Sequence, residues 1–401
     1  MSSMKLITVA IAALFLLVVS AVLRFSELYI MSAAVASVPI ASYLVGRIVV
    51  RSLRCSREVP HFAREDEPFR VSLHLHGKSG LLGPMEIDDV LPEWMKKAAS
   101  QADLASESEG VLTATYTAAS NKRGEHTIGP LKLRVSDPLG FFMFNCEYPL
   151  ISRLVVLPQP MHIPELEVRR AGSFGEYQFE GTGARGSGTD FHGVREYQPG
   201  DELRRIHWAS TARHGRLNVV EFEHRRAQDT VIAIDLRRGS EVGYGRYSSL
   251  EYAIRIGAGI AEEALMLGSS ARLMCAGLEG AAASPATGLD QLYIILETLA
   301  KIRADRREAI SDLLLRDLDA LSSDSVVTCL SACADEGLAR CAQLLAPKGA
   351  KINFILINPA SEVEPGAQEF VGNLVAAGAS AAIVECSTEA VEGYVRYDYP
   401  A

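Results

Sequence analysis

Disulfide chemistry is what this chain is most short of. Its seven cysteines, Cys55, Cys146, Cys275, Cys329, Cys333, Cys341 and Cys386, are odd in number and scattered through apolar runs. A disulfide framework needs a short, cysteine-dense chain with an even count. Cys329 and Cys333 miss C-x-x-C spacing by one residue, so the pattern offers no paired zinc ligands. Cysteines placed this way act as small buried hydrophobes in a reducing compartment. Tryptophan is scarce as well, with two in 401 residues. Basic charge is outweighed, 40 Lys and Arg against 49 Asp and Glu for a net −9. Nucleic acid is therefore not an expected partner, because phosphate binding needs a concentrated basic surface.

Long apolar runs, by contrast, are present at the start. Residues 6–23 carry only Thr8 and Ser20 as polar side chains, and residues 28–46 carry no charge. Each is long enough, as a helix, to cross a hydrocarbon core of roughly 30 Å. The connector Arg24-Phe25-Ser26-Glu27 is too short to hold a domain, which predicts an antiparallel hairpin. Arg47, Arg51, Arg54 and Arg57 follow the second run. The basic-residue rule then places both termini and everything after residue 57 in the cytoplasm, on a two-pass protein of the plasma membrane. Read as a continued helix, their spacing puts the four arginines on one face as a collar for anionic head groups. A secretory signal would share Lys5 and the tripeptide Val19-Ser20-Ala21; even then the second span would run from outside to inside.

Residues 58–165 read as strands. Residues 69–76 alternate apolar with polar side chains, the period of a half-buried strand, and residues 111–118, 129–135 and 154–157 read similarly. Turn signals such as Asn121-Lys122-Arg123-Gly124 and Ser136-Asp137-Pro138-Leu139-Gly140 separate them. The expectation is an all-β sandwich. His74 and His76 form an H-x-H pair on its polar face with no third metal ligand nearby in sequence. Residues 172–193 are glycine-rich without apolar period and read as a loop. Gly181-Thr182-Gly183-Ala184-Arg185-Gly186 fits G-x-G-x-x-G, but no strand precedes it, no helix follows it, and no Gly-Lys-Ser/Thr completes it, so a nucleotide site is not expected.

From residue 229 onward strands and helices alternate. Residues 230–235 form a β-branched run ending in Asp235, and Ser248-Ser249-Leu250-Glu251 offers a capping box before an apolar helical stripe over residues 250–265. Further buried strands are predicted at residues 271–276, 326–330, 352–357 and 381–384. Helices are predicted at 289–302, 308–321, 336–345 and 364–377. The whole of 229–401 is therefore expected to be a doubly wound α/β domain on a mostly parallel sheet.

Residues 166–228, between the two, hold the densest polar segment. Arg195, Tyr197, Pro199, Gly200, Asp201, Arg204, Trp208, Thr211 and Arg213 all fall within nineteen positions of one another. Arginines there can make bidentate bonds to carboxylates, and Trp208 requires burial or a partner surface. His207, Asp201 and Ser210 or Thr211 could be offered as a hydrolytic set, but no G-x-S-x-G elbow or oxyanion-hole signature accompanies them. A clamp joining two domains and a partner-binding patch remain as the two readings. The segment resembles the bacterial family named domain of unknown function 58. That family's pattern runs approximately arginine-x-tyrosine-x-proline-glycine-aspartate, arginine-x-x-x-tryptophan, threonine-alanine-arginine, matched here from Arg195 through Arg213. The two spans, Lys122-Arg123-Gly124, the Ser136–Gly140 element and Phe222-Glu223 resemble family features too.

This resemblance implies a von Willebrand factor A-like C-terminal domain. It also implies partners, a MoxR-type AAA+ ATPase and often a transglutaminase-like membrane protein, and a non-enzymatic role as adaptor or assembly factor. Such domains bind divalent metal through Asp-x-Ser-x-Ser after the first strand. Here the stretch is Asp235-Leu236-Arg237-Arg238-Gly239-Ser240, with only the aspartate in place. A guanidinium beside the site opposes a dication, so Asp235 is a degenerate candidate, Mg²⁺ is not expected, and an Asp235–Arg237 or Asp235–Arg238 pair is. Asp335 could stand near the family's later acidic position. The alternative is a divalent-metal-dependent ligand receptor or enzyme at Asp235, and a weaker one is scaffolding by self-association.

Overall fold

The computed structural model describes residues 2–77, 82–98, 103–108, 111–163, 191–197, 206–222, 228–321, 323, 325–358 and 365–385. By their contacts they form two units: Met1–Gln159 with Leu296–Ile302, and Pro160–Ile295 with Arg303–Ala401.

The first unit opens with helices α1 (Ser2–Leu23) and α2 (Ser26–Ser52). The chain reverses at Arg24, whose φ is +55°, and Ser32 Oγ of α2 donates to the Ala13 carbonyl of α1 at 2.8 Å. Both helices are long and apolar enough to cross a membrane. Side chains such as Ile7, Phe15, Ile30 and Ile48 point outward with no protein over them, as expected of a helix that is apolar all round.

Eleven strands follow among the described residues of this unit. A five-stranded sheet joins β1 (Arg54–Glu58), β3 (Phe69–His76), β7 (Val111–Ser120) and β5 (Met95–Lys97) in that order, with β6 (Asp103–Ser108) also on β7. A second sheet runs β10 (Met143–Tyr148), β9 (Leu131–Ser136), β4 (Met85–Asp89), and a third runs β2 (Phe62–Arg64), β11 (Ser152–Leu157), β8 (Gly124–Ile128). The alternation read in residues 69–76 is realised: Val71, Leu73 and Leu75 are buried while Arg70 faces out. Phe69, Val71 and Leu73 share a core with Ala114, Tyr116, Ile128, Leu154 and Val156, so the first and third sheets bury their inner faces together. Of the span predicted at 129–135, the chain turns at Gly129-Pro130 and the strand begins at Leu131.

The arginine collar is corrected. Helix α2 stops at Ser52, Arg54 opens strand β1, and only Arg47 and Arg51 lie on the helix. Arg57 does not face head groups: its side chain is fully buried in an ion pair with Asp89, and its Nη1 donates to the carbonyls of Ile128 (2.9 Å) and Leu150 (3.0 Å). The last turns of α2 belong to the β core, where Val50 and Leu53 are buried with Leu75, Leu133 and Val135.

In the second unit, β12 (Phe191–Glu196) pairs antiparallel with β13 (Asn218–Phe222), and α3 (Trp208–His214) lies between them in sequence. A five-stranded sheet, parallel throughout, has the order β15 (Ser270–Met274), β14 (Asp229–Ile234), β16 (Ser325–Ser331), β17 (Lys351–Asn358), β18 (Ser380–Glu385). Its strands read as continuous apolar runs because both faces are covered. On one face α6 (Ile310–Arg316), α7 (Gly337–Leu345) and α8 (Pro365–Ala376) bury Leu314, Leu345 and Val371 against Val327 and Phe354. On the other lies α4 (Ser249–Met266), where a Cβ on Gly257 would stand 3.3 Å from Ile232 and Ile234. The predicted cap forms, with Ser248 Oγ accepting from Glu251 N; α5 spans Leu289–Lys301, and its residues from Leu296 onward count with the first unit. The helix predicted over 308–321 is instead α6 followed by a 3₁₀ turn at Leu318–Ala320. Lys348 Nζ holds that turn through the Leu318 carbonyl (3.0 Å) and Asp319 (3.1 Å).

Candidate functional site

In the parallel sheet β15 lies on one side of β14 and β16 on the other. Strand order therefore reverses between β14 and β16, and the crevice beyond their carboxyl ends is where open α/β sheets bind ligands. Asp235 follows β14 and Ser331 closes β16, and the Asp235 amide joins the two by donating to the Leu330 carbonyl at 2.9 Å.

Arg237 fills that position. Its Nη2 lies 2.7 Å from Asp235 Oδ2, and its Nε donates to both carboxylate oxygens at 3.0 and 3.1 Å. The Arg237 amide donates to Oδ1 at 2.9 Å, and Ser331 Oγ donates to Oδ2 at 2.7 Å. The loop is fixed from outside, since Arg306 N donates to Leu236 O and Arg238 N to Arg306 O. Hydrogen bonding to Asp235 raises the Arg237 pKa above its ordinary value, against the opposing effect of burial, and Asp335 and Cys333 add to it. The charged fork is thus locked onto a carboxylate whose side chain is 2% exposed.

Asp335 is spent differently. Oδ2 accepts from Ser311 N at 3.1 Å, while Oδ1 accepts from Ser311 Oγ at 2.9 Å and from Gly337 N at 3.1 Å, at the start of α7. Ser240 Oγ turns back to the Arg237 carbonyl at 2.8 Å. Arranged this way, the donors do not fit a hard dication. Oxygen ligands would have to converge, yet a guanidinium occupies one carboxylate and backbone and hydroxyl donors occupy the other. Sequence reasoning reached Asp235, Arg237 and Asp335 but passed over Ser331. Its signal was available, because it is the first hydroxyl after the apolar run 326–330, as Asp235 is the first carboxylate after 230–234.

The polar signature is partly described. Tyr197 N donates to Leu217 O at 2.8 Å, which closes the β12–β13 ribbon. His207 caps α3: its Nδ1 accepts from Ser210 N at 3.2 Å and sits 2.8 Å from Ser210 Oγ. Thr211 Oγ1 accepts from Asn218 N at 3.0 Å. His207, Ser210 and Thr211 are thereby engaged in holding a short helix against a ribbon. Trp208 stands 69% exposed at the start of the helix, and Arg213, five residues on, is exposed as well. Arg195 lies in β12, though its side chain falls outside the described residues, as do Pro199, Gly200, Asp201, Arg204, Glu223, Cys386 and the glycine-rich stretch up to residue 190.

Burial pushes the Cys275 thiol up to about 12 and the Cys341 thiol up to about 11, and it raises Cys329 as well, so these three stay protonated at neutral pH. His74 and His76 are taken up on the sheet surface by Thr113 (3.1 Å) and Ser56 (3.4 Å).

Residues 193–371 match the family model described as "Protein of unknown function DUF58". The chain is similar to the uncharacterized protein YeaD of Bacillus subtilis, 26% identical over 240 residues, covering 57% of this chain and 56% of that protein. The match thus spans little more than half of that relative's length. Among solved structures, a FixG-related protein from Vibrio parahaemolyticus aligns at 11% identity and a TM-score of 0.18 over 26% of this chain and 95% of its own. The SrpA adhesin from Streptococcus sanguinis aligns at 12% and 0.19 over 34% and 81%. Neither likeness carries an argument at those scores.

Proposed function

We propose that the chain is a membrane-anchored, non-enzymatic adaptor that presents its α/β unit to a cytoplasmic ATP-driven partner, a MoxR-type AAA+ ATPase. The observation that carries this reading is the 69% exposure of Trp208 within a segment that matches the family model. A large aromatic left exposed, on a short helix that also carries the exposed Arg213, is the composition of an interface anchor. Two further features support it. At the switch point, where an α/β enzyme would place its chemistry, the Asp235 carboxylate is taken up by Arg237. The two apolar helices suit a two-pass anchor, with Lys5, Arg47 and Arg51 on the cytoplasmic side and both termini facing the cytoplasm. A von Willebrand factor A-like identity for the α/β unit goes with this reading.

The test is recovery of the ATPase with the full-length, membrane-extracted chain and with its Trp208→Ala variant. We expect the wild type to retain the ATPase and the variant to lose it at unchanged thermal stability. Equal recovery by both would sink the interface, and fusion reporters that place either terminus outside the cytoplasm would sink the topology.

A further inference from the structure

Two cavities meet at the inner end of the helical hairpin. One, of about 510 Å³, is lined by apolar side chains of both helices, including Leu6, Val9, Ala10 and Ile40. The other, of about 380 Å³, is lined by Arg47, Arg51 and Asn145 among others. Tyr43 and Phe142 border both cavities, so an apolar trough leads directly into a cationic one. The first volume lies within the range of small-molecule sites. Arg47 Nη1 donates to the Tyr43 hydroxyl at 3.1 Å, and neither Arg47 nor Arg51 has a carboxylate partner among the described residues. Lys5 adds a third cation at the same end, with Nζ 3.1 Å from where a Cβ on Gly140 would stand. The wall is rigid: Ser42 bonds the buried Asp137, and Tyr43 meets Phe142 edge-on with ring centroids 5.2 Å apart.

From this juxtaposition we infer that the hairpin and the Asp137–Phe144 loop together form a binding site for one anionic phospholipid, its acyl chain in the trough and its phosphate between Arg47 and Arg51. An arginine i, i+4 pair on a helix presents two forks to one phosphate, and unneutralised cations at a membrane surface attract anionic lipid. A zwitterionic lipid brings the same phosphate, but its own ammonium is repelled by the Arg47, Arg51 and Lys5 cluster, so net-anionic lipid is preferred. The inference rests on the membrane anchor proposed above.

The test reconstitutes the full chain into phosphatidylcholine vesicles with and without phosphatidylglycerol, extracts it in mild detergent and counts retained lipid by mass spectrometry. Wild type is expected to retain phosphatidylglycerol in preference. Arg47→Gln/Arg51→Gln should cut that preference by about fivefold for each arginine removed, and Ala10→Phe, which fills the trough and leaves the arginines, should abolish retention. Equal retention of both lipids, or a double variant that behaves as wild type, overturns the lipid site while the anchor stands; a trough that takes a partner's helix would give the same result. A chain that floats with neither vesicle overturns the anchor and the site together.

Discussion

Arg237 lies fork-on to Asp235, with Nη2 2.7 Å from Oδ2, and Ser331 Oγ reaches the same oxygen at 2.7 Å from the neighbouring strand. A guanidinium and a hydroxyl thus share one carboxylate at the point where strand order reverses. Removing the guanidinium strands a buried anion with only the Arg237 amide and Ser331. We expect Arg237→Ala to cost about 1–3 kcal/mol. Adding Asp235→Asn should restore part of it, because the uncompensated charge is gone. Thermal unfolding of the single and double variants measures this, and strictly additive costs would mean that the two side chains are not coupled.

Those elements that obey a local period were legible in the sequence; those fixed by distant partners were not. Residues 69–76 announced a strand by alternation, and the runs ending at Asp235 and Ser331 announced buried parallel strands by their length and abrupt polarity. The Ser248 cap was readable because its partner, Glu251, is three residues away. The fate of Arg57 was not readable. Its spacing continued a helical face, but Asp89 and the carbonyls of Ile128 and Leu150 come from far along the chain, and burial there outweighs the helix. Likewise the extra length of α2 goes with a core that Val50 and Leu53 share with Leu75, Leu133 and Val135, residues distant in sequence.

Arg57, Asp89 and Tyr116 form a buried polar cluster. The two charged side chains are 0% and 1% exposed, and Tyr116 Oη donates to Asp89 Oδ2 at 2.6 Å. Breaking such a pair from one side leaves an uncompensated charge, which costs about 3–5 kcal/mol. Asp89→Leu or Arg57→Met alone should destabilise by that amount. The double variant should lose clearly less than the sum, by chemical denaturation of the detergent-solubilised chain. Tyr116→Phe should cost about 1.5–3 kcal/mol, since its hydroxyl serves a charged acceptor.

His126 is held neutral. Trp94 Nε1 donates to its Nδ1 at 3.0 Å and its Nε2 faces the Lys122 carbonyl at 2.8 Å, so the proton sits on Nε2. Burial lowers its pKa from the ordinary 6.5, and the nearby Lys122 ammonium lowers it further. With the folded pKa below the unfolded one, the unfolded chain binds the proton first. Stability from this residue is complete above 6.5 and drains away as pH falls through the folded value. Emission of Trp94, followed in a Trp208→Phe background, should report an unfolding midpoint that declines below pH 6.5. His126→Gln, which does not titrate, should flatten that decline.

Gly46 tests how the end of α2 grips the β sheets that follow it. A Cβ there would lie 2.6 Å from the edge of the Phe144 ring and 3.3 Å from the Asp137 Cβ, next to the bond between Ser42 and Asp137. The ring edge can rotate away, so Gly46→Ala should cost under about 1 kcal/mol. A leucine has nowhere to go, because Val49, Val50 and Leu53 already fill the helix face beyond, and overpacking of this kind costs about 1–3 kcal/mol. Loss of that contact would loosen the junction of α2 and β1, where Arg51 at the helix end and Arg54 at the strand start are exposed to trypsin. We therefore expect Gly46→Leu, and not Gly46→Ala, to speed tryptic release of the rest of the chain from the two-helix fragment. The same slow release from both variants would mean that the helix end is held by Val50 and Leu53 alone.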